Sequence, residues 1–481
     1  MYPTIEALRA RYGERYKWLI LLTVMIGTMA SILSSTIVNV AVPDLSHHFS
    51  LGQERAQWVS AGFMLAMTMS MLTTPWLLLR FGLRRTYTAA IVLLLFGGVV
   101  GGFSVNYTML LAMRVAEGLA AGVLQPIPAI VILRAFGEKE QGKAMGIFGF
   151  GVVLAPAIGP SVGGFLVEQF GWRSIFFVVV PFCLVALLMV RRFLAVNSSM
   201  MGESKALDWK GLLLVGISTI SLLNGMVLLH SNLLHAAGLL GLGISCLITF
   251  VFYQLRTTSE PLINMTLFSY RQFSMGALVA FIYGMGLFGS TYLLPVYLQM
   301  ALQYAPSRAG LVLLPAGIVL AVTIPLAGKL ADRFPPNILV SAGLTLLAAS
   351  FVLMATGSLL TSYVTLMAWA IIGRIGLGFV LPALSLGAMR GIEFNLIAQG
   401  ASTINFVRQL GGAIGVSLVG VMLEWRLAVH KTDLVVQGGD MGERVRAFNE
   451  TFLFVAVICA SAVFAAWAMR AKTHEATGDI A

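Results

Sequence analysis

The sequence predicts an all-α membrane protein: two bundles of six transmembrane helices, with two further helices inserted between them. Three observations predict it. Of 481 residues, 58% are hydrophobic and only 11% are charged, whereas a soluble domain carries roughly 25% charged residues. The apolar residues gather into fourteen runs, each near the length that crosses a bilayer. Short sequences from the first half also recur late in the chain at a nearly constant offset.

Residues 1–17 read as a short basic segment on the membrane surface, with Arg9, Arg11, Arg15 and Lys17 beside Tyr12 and Tyr16. Apolar spans follow at about 18–43, 56–79, 86–105, 108–132, 144–167, 174–190, 211–229, 233–255, 272–300, 308–328, 337–358, 362–388, 398–423 and 451–469. Residues 18–195 hold spans 1–6 and form the N-terminal bundle. Residues 205–256 hold the inserted spans 7 and 8, and 257–271 form a linker. Residues 272–470 hold spans 9–14, the C-terminal bundle. No cleavable leader is expected, because the first apolar run is too long and lacks a small-residue cleavage site. The longest polar stretch, about 424–450, reads as a loop, so no soluble domain is expected. Cys183, Cys246 and Cys459 all lie within spans and imply no disulfide framework.

The net charge of +11 could point to nucleic acid, but its distribution points to a membrane instead. With both termini in the cytoplasm, the inner segments hold 21 of the Lys and Arg residues and the outer loops seven. The opposite orientation inverts that bias and is rejected on the positive-inside rule.

The repeat is carried by three matches. Ala157-Ile158-Gly159-Pro160-Ser161 recurs as Ala413-Ile414-Gly415-Val416-Ser417, an offset of 256 residues. Gly122 and Pro126 match Gly378 and Pro382 at the same offset, and Arg80-Phe81 resembles Arg333-Phe334. Spans 1–6 therefore correspond to spans 9–14. Two homologous six-helix halves around a midplane cavity are the architecture of a secondary transporter.

Span 5, within GFGVVLAPAIGPSVGGFLVEQFGWR (149–173), carries five glycines and two prolines. A soluble helix would not survive that composition; in lipid, neighbouring helices re-satisfy the freed backbone groups. Glycines four apart, such as Gly159 and Gly163, let another backbone approach, and the prolines permit a bend. Tight packing is the plainer reading and a bending helix in a moving bundle the sharper one. On the sharper reading, Gly159 and Gly163 contact a helix of the other half.

Gly151, Pro156, Gly159, Pro160, Gly163 and Gly164 resemble the helix 5 antiporter motif of proton-coupled exporters in the major facilitator superfamily. The likeness extends along nearly the whole chain to that superfamily's fourteen-helix drug:proton antiporter branch. It is carried by LSSTIVNVAVPDL (33–45), YLLPVYLQ (292–299) with Tyr304, Pro306, Gly310 and Pro315, EPLIN (260–264), NFVRQLGGAIG (405–415), Trp172-Arg173 and Pro181. The resemblance implies the major facilitator fold, outward transport by exchange, and a bacterial inner (plasma) membrane. It also implies a cytoplasmic gate at Arg80, Gly82, Arg84, Arg85, Asp332 and Arg333. Some such exporters work with a periplasmic adaptor, which makes an adaptor protein a candidate partner; nothing in the sequence shows a docking surface for one.

Three positions depart from the family pattern. Ser34 stands where the helix 1 motif usually has Asp, and Leu79 where the loop after helix 2 usually has Asp. Glu117 stands where helix 4 usually has Gln, three residues after Arg114. Residues three apart share a helix face, and Glu117 and Ser34 lie at similar depths counted from their span ends. Charges at that depth are costly and face a cavity or a partner. Glu117 and Arg114 are therefore the candidate proton-coupling pair, with an ion pair that merely positions helix 4 as the plainer alternative.

The substrate-cavity candidates are Ser34, Asn39, Gln125, Arg374, Arg408 and Asn405. Three embedded arginines against one mid-membrane acid disfavour a pump dedicated to organic cations and favour amphipathic neutral or anionic substrates. Met64, Met67, Met71, Phe288, Tyr292 and Tyr297 could line an adaptable pocket, although plain packing accounts for such residues equally well. His47 and His48 read as solvated.

No phosphate-binding loop, zinc motif or nucleophile elbow is present, so an enzyme is not expected, nor a cofactor or metal ion. The expected energy source is an ion gradient, and the expected partners are a small amphipathic substrate, protons and the bilayer, not nucleic acid. Proton-coupled efflux by alternating access is the leading reading. Its rivals are an exporter or facilitator of one endogenous metabolite of siderophore or fatty-acid class with weakened coupling, and a membrane sensor that transports nothing.

Overall fold

The computed structural model describes residues 5–195, 206–229, 232–257, 261–432 and 441–470. Those residues are helical, with no strand among them. In chain order the helices are α1 (Ile5–Tyr12), α2 (Arg15–His48), α3 (Gln53–Met71), α4 (Thr74–Gly102), α5 (Tyr107–Leu124), α6 (Ile127–Ala135), α7 (Glu138–Phe170), α8 (Ser174–Phe177) and α9 (Val179–Phe193). They continue with α10 (Trp209–Val227), α11 (Leu233–Arg256), α12 (Arg271–Val296), α13 (Pro306–Ala331), α14 (Pro336–Ala355), α15 (Tyr363–Gly387), α16 (Ile397–Val429) and α17 (Met441–Ala468).

Twelve of the described helices, counting α5 with α6, α8 with α9, and α12 with the turn that follows it, are long and apolar enough to cross a membrane. Two long helices, α3 and α7, fall outside that number. The count of fourteen spans expected from the sequence is thus met by twelve helices on length and composition.

Local chemistry sets the ends. Asn106, Asp208, Asn232 and Ser362 each accept a backbone N–H from the first turn of their helix, satisfying donors that have no partner inside the helix. Asp208 also accepts from the Gln254 side chain at 2.8 Å, which ties α10 to α11. Gly171 ends α7 at φ 76°, a conformation that costs glycine nothing. Pro126 separates α5 from α6, and a single π turn, Tyr297–Ala301, follows Pro295.

The two halves repeat one packing scheme. In the N-terminal half α2 packs on α7 and α9, α3 on α5, and α4 on α5 and α9. In the C-terminal half α12 packs on α16 and α17, α13 on α15, and α14 on α15 and α17. These are the same pairings under the expected correspondence. Helices α10 and α11 pack chiefly on each other, with α10 also touching α16 and α3. Their outer faces carry exposed Leu213, Ile217, Leu234 and Ile244, which places the pair at the periphery.

Close approach between helices rests on glycine. A Cβ on Gly122 would stand 2.0 Å from the Met67 carbonyl oxygen, and one on Gly284 would stand 2.1 Å from the Arg408 carbonyl oxygen. No side chain fits at such a distance, so these crossings exist only because both residues lack one.

Candidate transport site

The halves meet along α7 and α13. The Asp332 carboxylate, just past the end of α13, accepts the backbone N–H of Gly142 at 2.6 Å and that of Lys143 at 2.8 Å. Burial pushes the Asp332 carboxyl above its ordinary value, against the opposing pull of those two bonds. One turn inward the contact is glycine on glycine. A Cβ on Gly328 would lie 2.4 Å from the Gly142 carbonyl oxygen and 2.7 Å from the Gly146 Cα. Gly149 then faces Ile324. Nearby, Arg134 donates to the Phe394 carbonyl and stacks over its ring at 4.9 Å. This end of the bundle is shut.

Further along α7 the contacts change. Gly151 faces Met25, Gly159 faces Thr36 and Leu33, and Gly163 faces Ile37, all on α2 of the same half. The expectation that Gly159 and Gly163 touch the other half is therefore corrected. The contact is made instead by Gly142, Gly146 and Gly149, because beyond Gly149 the small face of α7 seats on α2. Helix α7 stays one helix through Pro156, and Gly164 packs loosely on Val40; the Pro160 side chain lies outside the described residues. Towards the opposite end a cleft of about 440 Å³ separates α3 from α16, with α10 along its flank. Met64, Trp58, Phe288 and Gln409 line it.

The gate expected from the resemblance is placed only in part. Asp332 sits on the seam. Arg80 stacks over Trp76 and Phe81 of its own half, Arg85 borders a groove beside α10, and Arg333 is exposed. Arg84 is half-buried, and Gly82 turns the chain at φ 74° before α4 continues. A carboxylate on backbone and bare glycine faces meet at this end. The pseudo-equivalent of Asp332 is Leu79, and the equivalents of Gly142 and Lys143 are Ala398 and Gln399 in the first turn of α16. Leu79 and Gln399 line one small void, and the Gln399 Oε1 is buried without a hydrogen bond. Leucine cannot cap those N–H groups, so the second carboxylate latch is missing.

Inside the N-terminal half Ser34, Arg114 and Glu117 meet in space. Arg114 and Glu117 form an ion pair at 2.6 Å, with their side chains 0% and 1% exposed. Arg114 also donates to the Ser34 hydroxyl at 3.0 Å and to the Val59 carbonyl at 3.2 Å, and lies 4.2 Å over the Phe63 ring. Glu117 is turned towards α4, where a Cβ on Gly97 would stand 2.5 Å from its Cγ. Its Oε1 and the Arg114 Nη2 are buried without hydrogen bonds. A charged pair at this depth welds α2, α3, α4 and α5 together. Ser34, at 2% exposure, is spent on Arg114 and does not wall an open cavity, which corrects its place among the substrate candidates.

The remaining candidates fall elsewhere. Asn39 is exposed and accepts from the Ser60 hydroxyl at 2.7 Å. Gln125 is half-buried at the α5–α6 break. Arg408 is half-buried on α16 and donates to Asn405 at 2.7 Å. Arg374 is half-buried on α15. Tyr283 lies within electrostatic reach of both arginines. The sequence did not single it out, because a tyrosine in an apolar span looks like any packed aromatic. Met67 and Met71 are core residues around Phe63, and Tyr297 is buried against Phe448 and Phe452. Tyr292 is 38% exposed, and His48 is exposed beside Arg173 and Trp172. Among the described residues no cluster of His, Cys, Asp or Glu could hold a metal ion.

The comparisons with known proteins agree with this layout. The family model described as the Major Facilitator Superfamily matches residues 24–416. A multidrug resistance protein B homolog of Mycobacterium tuberculosis is 30% identical over 428 residues, covering 86% of this chain and 78% of that protein. A riboflavin transporter of Clostridioides difficile is 28% identical over 403 residues, covering 83% and 87%. The crystal structure of the human organic anion transporter MFSD10 superposes with a TM-score of 0.68, covering 94% of this chain and 99% of that one. Its 16% identity speaks for the fold alone. The chain belongs to the Major Facilitator Superfamily, in its drug:proton antiporter family, and is a multi-pass helical transporter rather than an enzyme.

Proposed function

We propose that this protein is a proton-coupled exporter of small amphipathic molecules that works by alternating access. The observation that carries the reading is the asymmetric seam. The halves are shut at the Asp332 end, by Asp332 on Gly142 and Lys143, while a cleft lies between α3 and α16 towards the other end. That is one of the two states an alternating carrier must visit. The positive-inside bias makes the shut end cytoplasmic, with both termini on that side of the bacterial inner membrane. Helices α3 and α7 pack within the N-terminal bundle beside spanning helices, so fourteen crossings are the count this reading takes. It does not extend to a periplasmic adaptor, which no observation here supports.

Coupling is assigned to Glu117, with Arg114 modulating its proton affinity. An acid sealed at mid-depth must exchange its proton when the bundle rocks and the Arg114 contact loosens. Substrate that competes for either partner would then link the two fluxes. The rival reading, a carrier for one endogenous metabolite with weak coupling, draws on Ser34 and Leu79, where the family's acids are missing.

Inside-out vesicles carrying the protein test both. With an imposed proton gradient, neutral or anionic members of a panel of lipophilic fluorescent compounds should accumulate against their own gradients. A facilitator would equilibrate them and stop, and a sensor would move none. Either outcome rejects the exporter.

A further inference from the structure

The start of α10, at Trp209, stands across a groove of about 650 Å³ from α4 and α5. None of its walls comes from α7 or α13, so it lies off the seam between the halves. Its lining Phe81, Leu119 and Trp209 are 40, 42 and 64% exposed, on the flank of a bundle that the bilayer surrounds. Arg85, Ala89 and Leu93, four residues apart on one face of α4, line it in succession. At 1.5 Å per residue that run covers about 12 Å, close to the hydrocarbon depth of one leaflet, about 15 Å. The hydroxyls on its wall are all spent on backbone. Ser70 donates to Met67, Thr73 to Ser70 and Thr86 to Leu77. Such a slot receives hydrocarbon.

Its mouth is positive. Arg85 is exposed there and makes no hydrogen bond or ion pair among the described residues. Arg80 lies over the rings of Trp76 and Phe81, at 5.3 and 5.7 Å, and both rings belong to the wall. Lys210, next to Trp209, is exposed. From residue 55 to residue 137 the only acid is Glu117, which is spent on Arg114. Asp208, on the other side of Trp209, is buried, with one oxygen on the Gly211 N–H and the other on Gln254. The mouth therefore keeps its charge.

We infer that this groove binds an anionic phospholipid of the cytoplasmic leaflet, with one tail between α4 and Trp209 and the phosphate held by Arg85 and Arg80. Forked guanidinium donors match phosphate oxygens. Basic residues at the inner end of a span favour anionic lipid, and tryptophan sits at headgroup level. A zwitterionic head brings its own cation to the same positive mouth and is disfavoured. The leaflet follows from the orientation proposed above; binding itself depends neither on that orientation nor on transport.

The test uses the purified full-length protein in phosphatidylcholine vesicles, with tail-brominated phosphatidylglycerol or tail-brominated phosphatidylcholine added in steps. Bromine quenches a tryptophan that it touches, and Trp76 and Trp209 line the groove. The wild type should show a relative affinity for the brominated anionic lipid at least about fivefold above that for the zwitterionic one. Trp76→Phe with Trp209→Phe should remove that excess. Arg80→Gln with Arg85→Gln should bring the two lipids within about twofold, whereas Arg80→Lys with Arg85→Lys should keep most of the preference. Equal quenching by the two lipids in wild type overturns the proposal and leaves the groove to ordinary bilayer contact, a transported lipophile or a second copy. An excess that survives the Trp pair lies elsewhere on the protein and also overturns it. So does an excess unchanged in the Gln pair, or a Lys pair as impaired as the Gln pair. If the Gln pair is not monodisperse on gel filtration, Ala89→Phe decides. It fills the groove from an exposed position and leaves the mouth intact, so the excess should vanish, and its survival rejects the site.

Discussion

The carboxylate of Asp332 and the backbone N–H of Gly142 meet at 2.6 Å across the line between the two halves. The second oxygen takes Lys143 at 2.8 Å. Both oxygens are thus used on the partner half, and no side chain of that half is needed to complete the contact.

Asp332→Asn replaces one of those acceptors with an NH₂ group, which cannot accept. A hydrogen bond to a charged group is worth ~1.5–3 kcal/mol, so the ratio of shut to open at this end should fall about tenfold or more. Spin labels at the exposed Glu138 and Arg333 would report it as a longer distance population. An unchanged distance distribution rejects the latch.

Leu79→Asp is the opposite experiment. It places a carboxylate beside the first turn of α16, whose N–H groups have no helical acceptor and whose dipole favours a negative charge. The shut population should rise, and transport should slow because the carrier leaves that state less often. Faster opening in the same label pair would contradict the pseudo-symmetric assignment of Leu79.

Gly328→Ala separates motion from folding. Alanine favours the α13 helix over glycine by ~1 kcal/mol, so thermal stability in detergent should hold or rise. Its methyl would stand 2.4 Å from the Gly142 carbonyl oxygen, so the seam cannot fully close and export should drop about tenfold or more. Export at the wild-type rate would show that closure at this point is not part of the cycle.

Glu117→Gln keeps the shape and removes the titrating group. It should abolish uptake driven by a pH gradient while leaving substrate binding in place. Arg114→Gln should behave differently, because it strands a buried carboxylate, and breaking a buried pair costs ~3–5 kcal/mol. Its melting temperature should fall far more than that of Glu117→Gln. If Glu117→Gln still exports with an unchanged pH dependence, the pair is a structural weld.

Much of the architecture was legible in one dimension. Hydropathy marked the helices, and an offset of 256 marked two halves that do share one packing scheme. Counting depth along two spans put Ser34 and Glu117 at one level, but not that Ser34 bonds Arg114. The breaks at Pro126 and Pro295 left a weaker trace, since proline in lipid can also sit inside an unbroken helix, as Pro156 does. What could not be read was which half a small-residue face meets. Gly159 and Gly146 have the same chemistry, yet one rests on α2 and the other on α13. That choice depends on the tilt between the halves, which belongs to a conformational state and leaves no mark on residue spacing. The resemblance placed Asp332 at the gate, but its partners stayed hidden for a related reason, because they are backbone groups and backbone has no sequence signature.

The bare backbone of Gly142, Gly146 and Gly328 has a kinetic consequence. Two helices that interlock through branched side chains must rearrange rotamers before they separate. Here nothing is threaded between the strips, so they can peel apart and come together again without a single χ angle leaving its well. The resistance to parting then gathers at the rim, in the two bonds of Asp332 and the contact of Arg134 with Phe394. The dwell time of the shut state becomes a property of a few rim contacts, adjustable by mutation there without repacking the interior.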